Sequence, residues 1–381
     1  MSTSGSLLDA IYRYIRRGMG VPKFFFSILV GRYEGLDRAP VTAKRALGLT
    51  RFGRSRRIAV SPLPSSLDIW DACLQAYAKL KIWPISFSYP KPMPEQLPRA
   101  KHFMSPIVPG QSYTFADEAS YINNYSKFSF ALTHKKSGWD CFRHLEILFS
   151  GAIPYMPDAG LIPEFTMVHY PKRFMTEVAA HLRHSRGFVG KTERQALLEY
   201  FNKNLTSAAM AKYLLRAANL REESRILFID QAVVELPDYQ SIFSLIGLKQ
   251  ILGRRVTVAF PVEYIYTDWT GDGTALYGQG FGYTRVLDTD LRDANESTRT
   301  NLDLTTLDFS LFDAVILGSM TRNSDLASTL LNYFPASKTV WLHGEDTGPS
   351  LAEIAEFTSL GVTVFARETG RIEAVDSDTP V

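Results

Sequence analysis

SKFSFALTHKKSGWDCFRHLEILFSGAIP, at residues 126–154, contains the pattern that decides the fold. A short apolar strand leads into a loop that carries two lysines, a serine and a glycine at 135–138, and a helix begins near Asp140. The helix ends at Gly151, and the apolar residues 152–155 begin the next strand. Strands that alternate with helices in this way indicate an α/β fold.

The same stretch also predicts a ligand site. Arg143 and Glu146 are three residues apart on the predicted helix, so both lie on one helical face. A basic loop of small residues before a helix N-terminus can hold a diphosphate, because the backbone N–H groups and the helix dipole favour negative charge. A carboxylate one turn further along can hold a pair of ribose hydroxyls. The stretch therefore predicts binding of an activated sugar nucleotide.

A second alternating region follows after residue 224 and predicts a parallel, doubly wound sheet. Its apolar strand segments and periodic helix segments come in turn along the chain. The predicted strands are 225–230, 255–260, 313–319, 338–344 and 362–366, and the predicted helices are 239–252, 324–333 and 350–359.

The region before residue 224 carries the same kinds of signal with more loop between them. Apart from the stretch 126–154, short strands are predicted at 58–60 and 85–88, an ordered loop with several prolines at 91–110, and helices at 68–80, 115–124 and 172–183. Residues 192–220 predict one or two further helices with a break near 204–206. We divide the chain into a basic arm (1–57), a first domain (58–220) and a second domain (221–381).

Composition and length indicate a globular protein. The chain has 381 residues, 45% of them hydrophobic and 21% charged, which suits two ordinary domains. No apolar run approaches the roughly 20 residues of a membrane-spanning helix, and the N-terminus lacks the order of a secretory signal. Two cysteines, Cys73 and Cys141, give no disulfide framework, so we expect a cytoplasmic protein.

The net charge of +3 is unevenly distributed. The first 57 residues carry twelve lysines and arginines but only Asp9, Glu34 and Asp37 as acids. Such an arm can bind a phospholipid surface, a nucleic acid or a phosphorylated acceptor, or it can be a solvated cover on the other domain. Apolar residues at helical spacing in 7–17 fit either a membrane interface or packing on the protein itself.

The stretch 126–154 resembles the donor-binding signature of exostosin-like glycosyltransferases, which have the two-domain GT-B architecture. The matching residues are Ser126, Lys127, Phe128, Gly138, Arg143, Glu146, Gly151, Ile153 and Pro154. The segments PISFSYP (84–90), HGED (343–346) and FARE (365–368) are similar to bacterial members of this group. The resemblance covers about two thirds of the chain and is most specific in the first of these stretches.

The resemblance implies two Rossmann-like doubly wound domains that face a cleft. It implies that the basic loop and Arg143 contact the diphosphate of the donor and that Glu146 contacts its ribose. The HGED and FARE segments follow the donor signature here, whereas the acceptor domain usually comes first. The chain therefore resembles a circularly permuted member of the family.

The expected donor residues lie on the loop and on the helix that follows it. They are Thr133, Lys135, Lys136, Ser137, Gly138, Trp139, Asp140, Arg143 and Glu146. The lysines and Arg143 can stabilise a departing diphosphate without a metal ion, and no His, Cys or Asp spacing predicts a zinc site. We therefore expect no metal and no cofactor, with a nucleoside diphosphate sugar, first of all a uridine diphosphate sugar, as substrate.

Inverting transfer also needs a base that takes a proton from the acceptor hydroxyl. Ligands of open α/β sheets gather beyond the carboxyl ends of the strands, and Asp346 and Glu345 follow such an end. Asp230 and Glu263 are rival candidates, and Asp346 could instead cap the next helix or turn.

The expected function is therefore a glycosyltransferase that acts on a glycan, a lipid-linked intermediate or another hydroxyl acceptor. A nucleic-acid-directed transferase that modifies a nucleobase is one alternative, in which the basic arm follows phosphates. A non-catalytic nucleotide-sugar-binding protein that has lost its base is the other.

Overall fold

The computed structural model describes residues 56–110, 115–299 and 303–370. The basic arm predicted at 1–57 lies outside the described residues except for its last two arginines, and so do its predicted membrane and nucleic-acid contacts. Nearly all of the two predicted domains lies within the described residues.

The strands of the described residues are short and follow one another in chain order. They are β1 (Arg56–Arg57), β2 (Trp83–Pro84), β3 (His102–Met104), β4 (Phe128–Leu132), β5 (Ile153–Tyr155), β6 (Gly187–Phe188), β7 (Ile226–Ile229), β8 (Val256–Val258), β9 (Ala314–Leu317), β10 (Thr339–His343) and β11 (Thr363–Ala366).

The helices of the described residues alternate with these strands over most of the chain. They are α1 (Ser66–Leu80), α2 (Glu118–Ser126), α3 (Phe142–Phe149), α4 (Lys172–Leu182), α5 (Lys191–Asn204), α6 (Ser207–Ala217), α7 (Tyr239–Leu252), α8 (Ser324–Leu330) and α9 (Leu351–Leu360).

Three parallel sheets organise these elements. The largest has six strands in the order β2-β11-β10-β9-β7-β8, a second has the order β3-β4-β5, and β1 pairs with β6. The predicted α/β class with parallel strands is confirmed. In the large sheet the winding direction reverses between β7 and β9, so their carboxyl ends form a switch point where α/β proteins bind ligands.

The strand β2 joins the large sheet from the distant N-terminal half of the chain. Trp83 and Pro84 pair with Phe365 and Ala366 of β11, and the Ile85 amide extends the ladder to the Ala366 carbonyl at 3.0 Å. The six-stranded sheet thus takes one strand from residues 58–220 and five strands from residues 221–381.

Local sequence explains where the helices begin and how closely two of them pack. The helix α1 begins with a capping box in which the side chains of Ser65 and Asp68 each accept from the other's backbone amide. The helix α7 is mostly apolar and is buried on all sides, between the sheet and α6. Gly247 lets these two helices approach closely, because a Cβ atom there would lie 2.1 Å from the Ser207 carbonyl oxygen.

Several predicted boundaries are wrong by a few residues. The strands expected at 58–60 and 85–88 lie two residues earlier, although the amides of Ile58 and Ile85 continue their ladders. The ordered loop expected at 91–110 contains the strand β3, because its backbone pairs with β4, a partner that the local pattern does not reveal. The predicted break between α5 and α6 is confirmed.

An irregular segment between β8 and β9 is attached to α7 by a fully buried ion pair. Lys249 Nζ donates to Glu296 Oε2 at 2.5 Å, and Tyr266 donates its hydroxyl to Glu296 Oε1 at 2.6 Å. Arg299 makes a two-bond contact with Asp293 at 2.7 and 2.9 Å. This segment is therefore held in one position although it contains no long helix or strand.

None of the helices in the described ranges is long and apolar enough to cross a bilayer.

Candidate functional site

The loop predicted to bind a diphosphate, residues 133–140, follows the carboxyl end of β4 and is fixed by hydrogen bonds. The Thr133 amide donates to the Tyr155 carbonyl at 2.9 Å, and the Lys135 amide donates to Asp158 Oδ2 at 3.1 Å. Lys135 Nζ lies 5.2 Å from the centre of the Trp139 ring, a cation–π contact. Residues 135–137 are exposed, so the loop presents its lysines to solvent.

His144 connects the two ends of this loop. Its Nε2 atom lies 3.0 Å from the Trp139 carbonyl oxygen, and its Nδ1 atom lies 3.0 Å from Thr133 Oγ1. A carbonyl only accepts, so Nε2 carries the proton and Nδ1 accepts from the threonine hydroxyl. Burial lowers the pKa of His144 to about 4, which keeps the ring neutral. His144 and Thr133 therefore hold the loop in shape.

Arg143 and Glu146 share one face of α3, as the sequence predicts, but this face is buried. Their exposed fractions are 7% and 2%. Tyr121 donates its hydroxyl to Glu146 Oε2 at 3.0 Å. Burial raises the pKa of Glu146 to about 7, while the nearby Arg143 opposes the shift. The predicted ribose carboxylate is thus enclosed by the protein's own side chains in this structure.

Residues 277–283 of the C-terminal half cover the same part of α3. The Phe281 ring lies 5.8 Å from the Tyr121 ring and is 6% exposed. Gly282 has φ +84°, and a Cβ atom there would lie 2.6 Å from the Phe142 ring. Residues 277–283 are therefore packed against the predicted donor helix.

A cluster of four charged residues connects the loop to the large sheet, and we call it the charged junction: Asp140, Asp346, Arg367 and Glu368. Arg367 Nη1 donates to the Asp140 carbonyl at 2.7 Å, and its Nη2 donates to Asp346 Oδ1 at 2.5 Å. The Asp140 amide donates to Glu368 Oε1 at 2.8 Å, and Asp140 Oδ2 accepts from the Phe87 amide at 2.6 Å. Residues that are 227 positions apart in the chain meet here.

Gly138 is the point of closest approach within this contact. A Cβ atom on Gly138 would lie 2.6 Å from Glu368 Oε1 and 3.0 Å from Asp346 Oδ1. Any side chain at this position would therefore displace the two carboxylates. The predicted donor loop and the first-choice base, Asp346, lie side by side, and the Asp346 side chain is 54% exposed.

The buried carboxyl groups of the charged junction titrate near neutral pH. Burial raises the pKa of Glu368 to about 7 and that of Asp140 to about 6, and in both cases Arg367 opposes the effect of burial. Groups with such pKa values can exchange protons under physiological conditions, which is a property of active sites and also of buried ion-pair networks.

The other predicted bases lie in different surroundings. Glu345 accepts from the Thr321 hydroxyl beside the junction. Asp230 is 1% exposed and accepts from Ser241 Oγ at 2.6 Å and from Asn323 Nδ2 at 2.9 Å, so its bonds hold the switch point together. Glu263 is half-exposed and pairs with Arg292 at 2.8 Å on the irregular segment.

Two residues of the junction were not among the predicted site residues. The segment containing Arg367 and Glu368 was noted for its resemblance only, without a role. The available signal was its position, because an arginine and a glutamate directly follow the carboxyl end of β11.

The structure also has a cavity of about 370 Å³ at the opposite edge of the large sheet. It lies at the amino ends of β9, β10 and β11, away from the predicted donor loop. Among the described residues, no group of three or more His, Cys, Asp or Glu side chains could hold a metal ion.

No family model matches this chain, and no curated protein or solved structure matches it either. The geometry of the site and the resemblance of residues 126–154 therefore carry the functional argument.

Proposed function

We propose that this chain is a glycosyltransferase of the exostosin-like, two-domain GT-B kind, with its domains in permuted order. It would move a sugar from a nucleoside diphosphate, first of all uridine diphosphate, to a hydroxyl acceptor. One observation carries the proposal: the loop with the donor signature and Asp346 from the large sheet approach each other closely at Gly138 and are joined by Arg367. These two parts were expected from the sequence to supply the donor site and the base.

The contact supplies the groups that an inverting transfer needs. Asp346 accepts the proton of the acceptor hydroxyl while that oxygen forms a bond to the anomeric carbon of the sugar. The bond from this carbon to the diphosphate oxygen breaks, and its electron pair leaves with the diphosphate. Lys135 and Lys136 are exposed beside the contact and stabilise the negative charge that develops there.

Donor binding in this proposal requires a conformational change at α3. Arg143 and Glu146 would contact the diphosphate and the ribose only after residues 277–283 move away from Phe142. Several of these residues have left-handed backbone angles, with φ of +61° at Gly278 and +70° at Gly280. The acceptor would be a glycan, a lipid-linked intermediate or a nucleobase, and the donor would be cytoplasmic.

A thermal-shift screen with uridine, guanosine, cytidine and thymidine diphosphates and their sugars tests the donor site. A ligand at a hundredfold excess over its Kd stabilises the folded state by about 2.7 kcal/mol, so one nucleotide series should raise Tm clearly. If none of the four series stabilises the protein, the donor assignment is wrong.

The Asp346→Asn variant tests the base once the donor is known. It should bind the donor with unchanged affinity in calorimetry and should lose sugar transfer, because the amide cannot accept the proton. Glu263→Gln is the comparison variant, since Glu263 is a rival candidate base in the second domain and lies away from the contact. Transfer that survives in Asp346→Asn and disappears in Glu263→Gln would assign the base to Glu263.

A further inference from the structure

Arg367 has an unusual position at the charged junction. It is 2% exposed, whereas its partner Asp346 is half-exposed. Its Nε atom donates to the Gly344 carbonyl at 2.9 Å, and its guanidinium carbon lies 4.4 Å from the centre of the Phe87 ring. The side chain is thus held on several sides by groups from different parts of the chain.

One rigid group therefore connects the two halves of the site. The Nη1 atom donates to the loop at the Asp140 carbonyl, and the Nη2 atom donates to the Asp346 carboxylate. The guanidinium is planar, so the angle between these two bonds is fixed by covalent geometry. A lysine at this position could reach one acceptor but could not span both in the same way.

We propose that Arg367 is a positioning residue that sets the distance and orientation between the donor loop and Asp346. This role of Arg367 in catalysis rests on the proposed function. Arg367 holds one oxygen of Asp346 while the half-exposed carboxylate faces solvent, where an acceptor hydroxyl would arrive. Glu368 supports the arrangement from the loop side, because it accepts from both Arg367 Nη1 at 3.3 Å and the Asp140 amide.

The kinetic test uses Arg367→Lys and Arg367→Gln, with Arg299→Gln as the matched control. The Arg299 side chain is likewise only 10% exposed and pairs with an aspartate, but on the irregular segment. A misplacement of about 1 Å at an active site can cost a hundredfold in rate, so both Arg367 variants should lower kcat on the order of a hundredfold. Donor affinity measured by calorimetry should change by less than about threefold, because the loop lysines carry the charge contacts.

A double-mutant cycle separates positioning from general support of the fold. The cycle compares the small residual transfer rates of the variants that lack the Asp346 carboxylate. If Arg367 acts through Asp346, the double variant Arg367→Gln/Asp346→Asn should have the same residual rate as Asp346→Asn alone. If the rate losses of the two single variants multiply in the double variant, the inference is overturned. An Arg367→Lys variant with wild-type kcat would also overturn it.

Hydrogen exchange provides a readout that does not depend on activity. Arg367→Lys should raise amide exchange together in residues 136–140 and 344–346, whereas Arg299→Gln should leave both segments unchanged. Unchanged exchange in both segments would overturn the link between them. If the wild-type protein binds no nucleoside diphosphate, the proposed function fails, and the exchange result still decides whether Arg367 joins these segments.

Discussion

Replacing Glu146 by glutamine should change the pH dependence of stability in a predictable way. Glu146 is 2% exposed, and the negative charge of the nearby Glu118 adds to the rise in its pKa. Burial raises the pKa of the Glu146 carboxyl from 4.5 to about 7 in the folded protein. Glutamine keeps the shape and can still bond with Tyr121, but it does not ionise.

The sign and size of the effect of pH on stability follow from proton linkage. Between pH 4.5 and 7 the folded state holds the Glu146 proton more tightly than the unfolded state does. This contribution to stability is fully present below pH 4.5 and is lost as the pH rises through 7. Each pH unit between the unfolded and the folded pKa lowers the free energy of unfolding by about 1.4 kcal/mol. Ionisation of Glu146 should therefore cost about 2 to 3 kcal/mol of stability between pH 5 and 8.

Urea denaturation followed by circular dichroism at pH 5 and pH 8 measures the effect. The quantity to compare is the free energy of unfolding of Glu146→Gln minus that of the wild-type protein. This difference should increase by about 2 to 3 kcal/mol from pH 5 to pH 8. Asp140 and Glu368 titrate in both proteins and cancel in the comparison. The exposed Glu356→Gln variant is the control and should parallel the wild type. If Glu146→Gln also parallels the wild type, the carboxyl is not buried in the way described.

Two further substitutions test the packing around the site. Lys249→Met should lower the free energy of unfolding by about 3–5 kcal/mol in urea denaturation, because Glu296 would remain as an uncompensated buried charge. The double variant Lys249→Met/Glu296→Leu should recover much of this loss. A double variant as unstable as the single one would contradict the explanation. Gly282→Ala should destabilise the protein by more than about 1 kcal/mol, since φ is +84° and the new methyl group would clash with the Phe142 ring. An unchanged urea midpoint would show that residues 277–283 do not pack against α3.

Local patterns predict most elements but not their long-range partners. The helix expected at 239–252 has those bounds in the structure, because a capping Asp238 and a terminal Gly253 mark the two ends of a mostly apolar segment. The strand β3 was missed, since it is only three residues long and stands among prolines, and only pairing with β4 makes it a strand. The sheet membership of β2 is likewise a tertiary property.

The candidate site shows the same limit. Spacing alone predicts that Arg143 and Glu146 share a face, but it does not say which side of the helix is covered. The contact between Asp140 and Arg367 joins residues 227 positions apart, so only the folded chain reveals it. Asp346 was predicted as a candidate because polar residues at strand ends gather at one edge of a parallel sheet, and the structure places it beside the loop.

The position of β2 has a consequence for synthesis of the protein. Its pairing partner β11 lies at Thr363–Ala366, so the two cannot meet until the chain up to these residues has left the ribosome. At about 5–20 residues per second, β2 has to wait on the order of tens of seconds with an unpaired backbone. An unpaired apolar edge can associate with other chains during that time, so nascent chains truncated before residue 363 should depend on chaperones more strongly than chains that include β11.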